Sequence, residues 1–168
     1  FSAERTMRVA QSLYEGIDLG EKDPAGLITY MRTDSFSVAP SASAEAAAFV
    51  KDRYGANYVP ATPPVYQTKS RGAQEAHEAI RPTSVLRTHD AVRPFLNADQ
   101  SRLYELIWNR FVASQMVEAV YDTVSADITA GEALFHANGR TLKFDGFLKI
   151  YAATSETPEG EAEEPAEE

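Results

Sequence analysis

The spacing of the apolar residues changes near residue 120, and this change constrains the fold more than any other feature of the chain. Before that point, apolar side chains recur at the spacing of an amphipathic helix. The first such series is Met7, Ala10, Leu13, Tyr14 and Ile17. After that point, Val124, Ala126 and Ile128 alternate with polar residues, which is the period of a half-buried strand. The sequence therefore predicts a mainly α chain with a small antiparallel β portion.

Residues that favour helix ends place several helices before this change. Ser2 can cap the first helix, and Pro40 suits the first turn of the second. A short helix is predicted over residues 73–80. A long helix is predicted after Asn97, where Gln100 stands at the position that completes a capping box.

The alternating part of the chain contains turn signals. Ala130-Gly131 and Asn138-Gly139 are dipeptides typical of tight turns between strands. One more strand is predicted over residues 147–151. A sheet this small usually pairs with further chain, so we expect the first strands of a second domain here.

The charge distribution completes the predicted division into a helical domain over 1–118, a partial β domain over 119–151 and an acidic tail over 152–168. The formal net charge is −9, but the tail holds seven Glu and no Lys or Arg. The remaining chain has 18 acidic and 16 basic residues. This near balance permits local basic sites for a polyanion. The tail lacks aromatic residues, and we expect a disordered linker or a loop that is cut short.

Residue types and patterns that the sequence lacks exclude several classes of site. The chain has no cysteine, which excludes disulfides, thiolate nucleophiles and Cys-ligated zinc or iron–sulfur centres. No apolar run reaches the length of about 18 residues that a membrane helix needs, so no membrane partner is expected. A Gly-rich phosphate loop, a Gly-x-Ser-x-Gly elbow and an Asp-x-Asp pair are also missing. Because the chain opens with Phe1 and without a secretory signal, we expect an excised or processed piece.

The first candidate site surrounds Tyr30. Residues 27–31 form a short, mostly apolar segment of strand formers with Tyr30 near its end, and Arg32 follows on the side that strand alternation assigns to Tyr30. A tyrosine phenol, with a pKa of about 10, can attack a phosphodiester and later leave again. A neighbouring guanidinium would neutralise the phosphoryl oxygens as charge develops. A half-buried packing tyrosine fits the same pattern.

The second candidate site lies in residues 74–83 (QEAHEAIRPT). His77 and Arg81 are four residues apart, so on a helix they would share a side and could hold a phosphate. Arg81 could equally pair with Glu75 or Glu78. No His-Glu-x-x-His motif and no second histidine at ligand spacing occur, so no metal site is expected.

Both sites resemble motifs of the type IA DNA topoisomerases. Residues 26–35 (GLITYMRTDS) are similar to the active-site tyrosine segment of bacterial topoisomerase I, and residues 74–83 resemble the family's histidine signature. The resemblance continues in a collinear framework over most of 1–151, for example at 103–108 (LYELIW). Met31 favours the topoisomerase I branch, because the topoisomerase III branch tends to have proline there.

The resemblance implies a mechanism and a fold. Tyr30 would attack one strand and form a 5′-phosphotyrosine bond, Arg32 would steady the scissile phosphate, and His77 would contact the DNA backbone. Arg81 is carried over as a DNA-binding residue with a supporting role. The implied fold is a helix-turn-helix domain similar to that of catabolite activator protein, joined to the first strands of the topoisomerase arch.

The resemblance also implies partners. In the family, Mg²⁺ is bound by carboxylates of a toprim domain that this sequence does not contain, so no cofactor is expected on this piece and it should be inactive alone. Its partners would be single-stranded DNA and the other domains of the parent chain, in the bacterial cytoplasm at the nucleoid. The alternative is a non-catalytic helix-turn-helix module that binds duplex DNA or another protein. That module would read DNA with the polar residues of the long helix, namely Gln100, Arg102, Asn109 and Arg110.

Overall fold

The computed structural model describes residues 1–20, 22–66 and 77–152. Within these ranges the chain forms helices and one two-stranded sheet, which confirms the predicted mainly α fold with a small antiparallel β portion. The helices are α1 (Ala3–Glu15), α2 (Pro40–Arg53), α3 (His89–Val92), α4 (Ala98–Ser114) and α5 (Leu148–Ala152), and the strands are β1 (Val120–Ala130) and β2 (Ala133–Phe144). Across the described part of the chain, no helix has the length and apolar character needed to cross a membrane.

The ends of α1 and α4 form as the sequence predicts. The Ser2 hydroxyl accepts a hydrogen bond from the Arg5 amide at 3.2 Å. At α4, the Asn97 side chain accepts from the Gln100 amide and the Gln100 side chain accepts from the Asn97 amide, each at 3.0 Å. These reciprocal bonds satisfy amide groups that have no partner inside the helix.

The hydrophobic core lies between the helices and includes the segment that precedes Tyr30. Its most deeply buried side chains come from α1, α2, α4, α5 and three connecting segments: Leu13, Leu27, Ile28, Val50, Pro82, Val85, Tyr104, Val112, Gln115 and Ile150. Two aromatic residues of α4 also hold the 85–87 segment, because Tyr104 donates to the Arg87 carbonyl at 2.6 Å and Trp108 donates to the Val85 carbonyl at 3.1 Å.

The two strands form a long ribbon that turns at Gly131, as the Ala130-Gly131 signal predicts. The turn predicted at Asn138-Gly139 is wrong, because both residues lie inside β2, opposite Ser125 and Val124. The Ser125 hydroxyl donates to the Asn138 side chain at 2.8 Å. Pairing along the whole of β1 therefore overrides the local turn preference of this dipeptide.

One face of the ribbon is apolar and exposed. Ile128 pairs with Phe135 and Ala126 pairs with Ala137, and directly paired residues share a face. All of these side chains are exposed. An apolar face of this kind normally packs against further chain. The division at residue 118 stays a prediction, and the predicted acidic tail lies outside the described residues from position 153 onward.

The strand predicted over residues 147–151 is wrong, because this segment forms α5. Gly146 adopts a left-handed conformation, with φ of +48°, and turns the chain at the end of β2. The amides of Leu148 and Lys149 then bond to the carbonyls of Asp145 and Gly146 at 3.0 and 3.2 Å. The helix places Ile150 in the core, and this packing decides the conformation of an apolar run that suits either structure.

The prediction of a helix over residues 73–80 is also wrong for those of its residues that the structure describes. Residues 77–80 are not helical, and the remainder of the prediction, 73–76, lies outside the described residues. The Ala79 amide donates to the Ser37 carbonyl at 2.8 Å, and the Ala79 carbonyl accepts from the Thr29 hydroxyl at 2.7 Å. These bonds to segments distant in the sequence replace the bonds within a helix.

The base of the ribbon contains a pH-sensitive hydrogen bond. Tyr58 donates to an Asp145 carboxylate oxygen at 2.7 Å, and Lys149 lies 3.4 Å from the other oxygen. The hydrogen bond from Tyr58 lowers the pKa of Asp145, with a further contribution from Lys149, and raises the pKa of Tyr58. A lowered carboxyl pKa stabilises the fold above the ordinary value of 3.8, and this stabilisation is lost as the pH falls through the folded-state pKa.

We therefore expect the difference in melting temperature between the unmodified chain and Tyr58→Phe to shrink as the pH is lowered from about 5 to about 2. Thermal unfolding at a series of pH values measures this difference. Tyr66→Phe is the control, since Tyr66 donates to the Ser114 carbonyl, which does not titrate in this range. A Tyr58→Phe difference as independent of pH as that of Tyr66→Phe would contradict the prediction.

Candidate functional site

Tyr30 lies at the surface, directly after a buried segment. Leu27 and Ile28 are fully buried beside α1, and the Leu27 amide donates to the Leu13 carbonyl at 2.8 Å. Tyr30 is 37% exposed. The core therefore fixes the backbone just before Tyr30, while the phenol is accessible to a ligand.

Two aromatic rings flank Tyr30. The Tyr14 ring, at the end of α1, lies 5.4 Å from the Tyr30 ring between centroids, in an edge-to-face arrangement. The His77 ring lies 5.6 Å from the Tyr30 ring and is tilted by 50°. Such contacts restrict the orientation of the phenol ring. The structure thus brings together the two sites predicted from distant parts of the sequence, and it adds Tyr14 to them.

Backbone hydrogen bonds hold the two segments side by side. Ile28 and Pro82 form an antiparallel bridge. On either side of it, the Thr29 amide donates to the Arg81 carbonyl at 2.9 Å, and the Thr83 amide donates to the Leu27 carbonyl at 3.0 Å. These backbone bonds bring the segment that carries His77 beside the segment that carries Tyr30. The helix predicted over residues 73–80 plays no part in this arrangement for its described residues, 77–80.

Arg32 is exposed at a bend of the chain. The bend at Met31 and Arg32 interrupts the strand alternation that predicted a common side for Tyr30 and Arg32. Among the described residues, Arg32 has no carboxylate partner within ion-pair distance, and Met31 is buried beneath the bend. The guanidinium is therefore available to an anionic ligand near the end of the tyrosine segment.

Arg81 is engaged within the protein. Its guanidinium lies 2.6 Å from the Glu78 carboxylate and donates a second hydrogen bond to the same oxygen at 2.7 Å. It also donates to the Pro82 carbonyl at 2.9 Å, and its side chain is only 11% exposed. The pairing with Glu78, one of the alternatives that the sequence left open, forms, and the other candidate partner, Glu75, lies outside the described residues. A contact between Arg81 and DNA stays a prediction.

A double-mutant cycle is expected to measure this pairing. Arg81→Met removes both the charge and the planar group that bonds Glu78 and the Pro82 carbonyl together. Because the Glu78 side chain is 36% exposed, solvent screens the pair, and we expect a coupling of about 1 kcal/mol between Arg81→Met and Glu78→Gln. Urea unfolding of the unmodified chain, the two single variants and the double variant provides the four free energies. Strict additivity of the two changes would contradict the pairing.

The other two histidines have partners of their own. His89, at the start of α3, lies 2.8 Å from the Ser101 hydroxyl, and His136 in β2 lies 2.6 Å from an Asp127 oxygen. Within the ranges 1–20, 22–66 and 77–152, no group of three or more metal-ligating side chains comes together. A divalent metal would therefore find no ready set of ligands in this part of the chain.

Comparisons with known proteins agree with the site. A sequence model of the DNA topoisomerase family matches residues 1–167. The structure is similar to that of full-length topoisomerase I from Thermotoga maritima, with a TM-score of 0.77 and 37% sequence identity. The similarity covers 100% of this chain and 26% of that chain, so the sequence spans about a quarter of its length. The chain therefore belongs to the DNA topoisomerase family, as residues 26–35 and 74–83 predicted.

Proposed function

We propose that the chain is the tyrosine-bearing part of a type IA topoisomerase, which relaxes negatively supercoiled DNA through a transient single-strand break. The observation that carries this proposal is the position of Tyr30. Its phenol is exposed, its ring contacts Tyr14 and His77, and the core fixes the backbone before it. A nucleophile needs this combination of access and fixed orientation.

The proposed reaction conserves the energy of the broken bond. The Tyr30 oxygen attacks the phosphorus of a phosphodiester, the bond from phosphorus to the 3′ oxygen breaks, and the 5′ phosphate stays on the tyrosine. The phenolic proton is released, and the 3′ oxygen takes up a proton as it leaves. After another strand has passed, the 3′-hydroxyl attacks the phosphotyrosine and expels the phenol. The cleaved DNA strand is thus resealed without an external energy source.

Arg32 and His77 would act on the phosphate. The exposed Arg32 guanidinium can neutralise the oxygens of a phosphate that reaches Tyr30. The His77 ring beside Tyr30 can donate a hydrogen bond to the DNA backbone there. We assign Arg81 a supporting role, in which its bonds to Glu78 and Pro82 fix the end of the His77 segment.

The proposal assigns metal chemistry to other parts of the parent polypeptide. Mg²⁺ bound by toprim carboxylates would stabilise charge in the transition state. The described residues bring no such cluster of ligands together. We propose that the isolated chain, without the toprim domain, does not relax DNA. The site of action would be the bacterial nucleoid.

The alternative of a duplex-reading module has little support on α4. Asn109 is buried, and Gln100 is engaged by the Asn97 amide and by the Ser12 hydroxyl. Only Arg102 and Arg110 of the four candidate residues are exposed. A sequence-reading helix needs several free polar side chains along one face.

The polarity of the covalent link tests the proposal. The full-length parent polypeptide is incubated with Mg²⁺ and single-stranded DNA labelled at one end, and the reaction is stopped with denaturant. A 5′-phosphotyrosine bond retains a 3′-end label on the protein and leaves a 5′-end label on a free fragment. The reverse pattern would contradict the assigned polarity. No protein-linked DNA, together with tight binding of one duplex site, would favour the alternative.

A further inference from the structure

Thr29, the residue before Tyr30, joins the two halves of the site through its side chain. The Thr29 hydroxyl donates to the Ala79 carbonyl at 2.7 Å and accepts from the Arg81 amide at 3.0 Å. A hydroxyl has one proton to donate and lone pairs to accept with, so both bonds can exist together. One side chain thus satisfies two backbone groups of the segment that carries His77.

These bonds form where the backbone ladder between the two segments ends. The ladder begins with the bond from the Thr83 amide to the Leu27 carbonyl. It ends with the bond from the Thr29 amide to the Arg81 carbonyl. Beyond it, no backbone bond within the described residues joins Tyr30 to residues 77–80. The Thr29 hydroxyl is therefore the hydrogen-bonded contact nearest to both rings, since the bond from the Ala79 amide joins Ser37, seven residues beyond Tyr30.

We propose that Thr29 is a positioning residue, whose hydroxyl holds His77 against Tyr30 for DNA cleavage. This inference rests on the proposed function of Tyr30 and His77. Without the hydroxyl, the Ala79 carbonyl and the Arg81 amide lose their partner, while the ladder from Thr29 to Thr83 keeps the segments associated. The fold would persist, with the bond from the Ala79 amide to the Ser37 carbonyl still in place. The His77 segment would lose its side-chain hydrogen bonds to the residue next to Tyr30, so the distance between the two rings would vary more.

Three variants of the full-length parent polypeptide separate positioning from stability. Thr29→Val keeps the shape but removes the hydroxyl, and Thr29→Ser keeps the hydroxyl. Thr83→Val is the matched control, since the Thr83 hydroxyl also donates to a carbonyl of the tyrosine segment, that of Gly26, at 2.8 Å. Its bond lies at the opposite end of the ladder from Tyr30 and His77.

Cleavage rates give the functional test. We expect Thr29→Val to slow the formation of protein-linked DNA about 10-fold, because small displacements of reacting groups are costly. Thr29→Ser and Thr83→Val should stay within about 2-fold of the unmodified protein, and Thr29→Val should add less than about 2-fold to His77→Ala. An equal effect of Thr29→Val with and without His77 would overturn the proposal.

A structural readout keeps this test independent of the proposed function. NMR of the protein with labelled histidine gives the chemical shifts of the His77 ring protons. The difference between these shifts in the unmodified protein and in Tyr30→Leu measures the effect of the Tyr30 ring. We expect this effect to be lost in Thr29→Val and kept in Thr29→Ser and Thr83→Val. A shift that is unchanged in Thr29→Val would overturn the positioning role. Persistent protein-linked DNA in Tyr30→Phe would instead overturn the proposed function.

Discussion

Tyr30→Phe in the full-length parent polypeptide is expected to abolish protein-linked DNA and relaxation of supercoils, with a loss of about 10⁴-fold or more, as for other removed nucleophiles. Phenylalanine keeps the ring that contacts Tyr14 and His77, and lacks only the oxygen that would bond to phosphorus. Because the side chain is partly exposed, folding should not change. Gel analysis of denatured reactions with end-labelled DNA, beside a supercoil relaxation assay, measures both activities.

Tyr14→Phe is the matched control for this change. Tyr14 is 41% exposed and its ring contacts that of Tyr30, so its phenol is the neighbouring nucleophile that could attack in place of Tyr30. We expect Tyr14→Phe to retain the covalent link. If the link instead persists in Tyr30→Phe and disappears in Tyr14→Phe, the nucleophile has been assigned to the wrong tyrosine.

The sequence predicts well those features that depend on neighbouring residues. Ser2, Pro40 and the Asn97–Gln100 pair mark helix starts that the structure confirms. Ser2 and the Asn97–Gln100 pair satisfy amide groups within about one helical turn, and Pro40 fixes its own φ at the first helical position. None of these effects depends on the tertiary fold. The resemblance at residues 26–35 likewise depends on a continuous stretch of sequence.

The sequence predicts poorly those features that depend on contacts between distant segments. Residues 77–80 are not helical, because their backbone groups bond to Thr29 and Ser37, and residues 147–151 form a helix because Ile150 packs in the core. The ring of Tyr14 beside Tyr30 could have been suspected only because Tyr14 lies within the collinear framework of the resemblance over most of residues 1–151. The role of Thr29 had no signal in the sequence, since it depends on where Ala79 and Arg81 lie.

Gly146→Ala is expected to lower the free energy of unfolding by about 3 kcal/mol, through a left-handed backbone and a steric clash together. Gly146 has a φ of +48°, and a Cβ atom there would lie 2.4 Å from the Glu118 carbonyl oxygen and 2.7 Å from that of Val117. Both atoms belong to backbone that cannot rotate away. Relief would separate the two chain segments at the base of the ribbon and strain the bond from the Phe147 amide to the Val117 carbonyl.

Gly131→Ala separates the two contributions to this loss. Gly131 has a φ of +62°, and no atom lies within 4 Å of the position that a Cβ atom would take there, so alanine meets only the backbone cost, about 1 kcal/mol. Urea unfolding of both variants, followed by circular dichroism, compares them. Equal losses in the free energy of unfolding would mean that the backbone at Val117 and Glu118 moves away from the new Cβ atom without cost. A much larger loss at Gly146 would mean that close backbone contact fixes the orientation of the ribbon relative to the helices. The same contact would then fix where α5 begins, and so the position of Ile150 in the core.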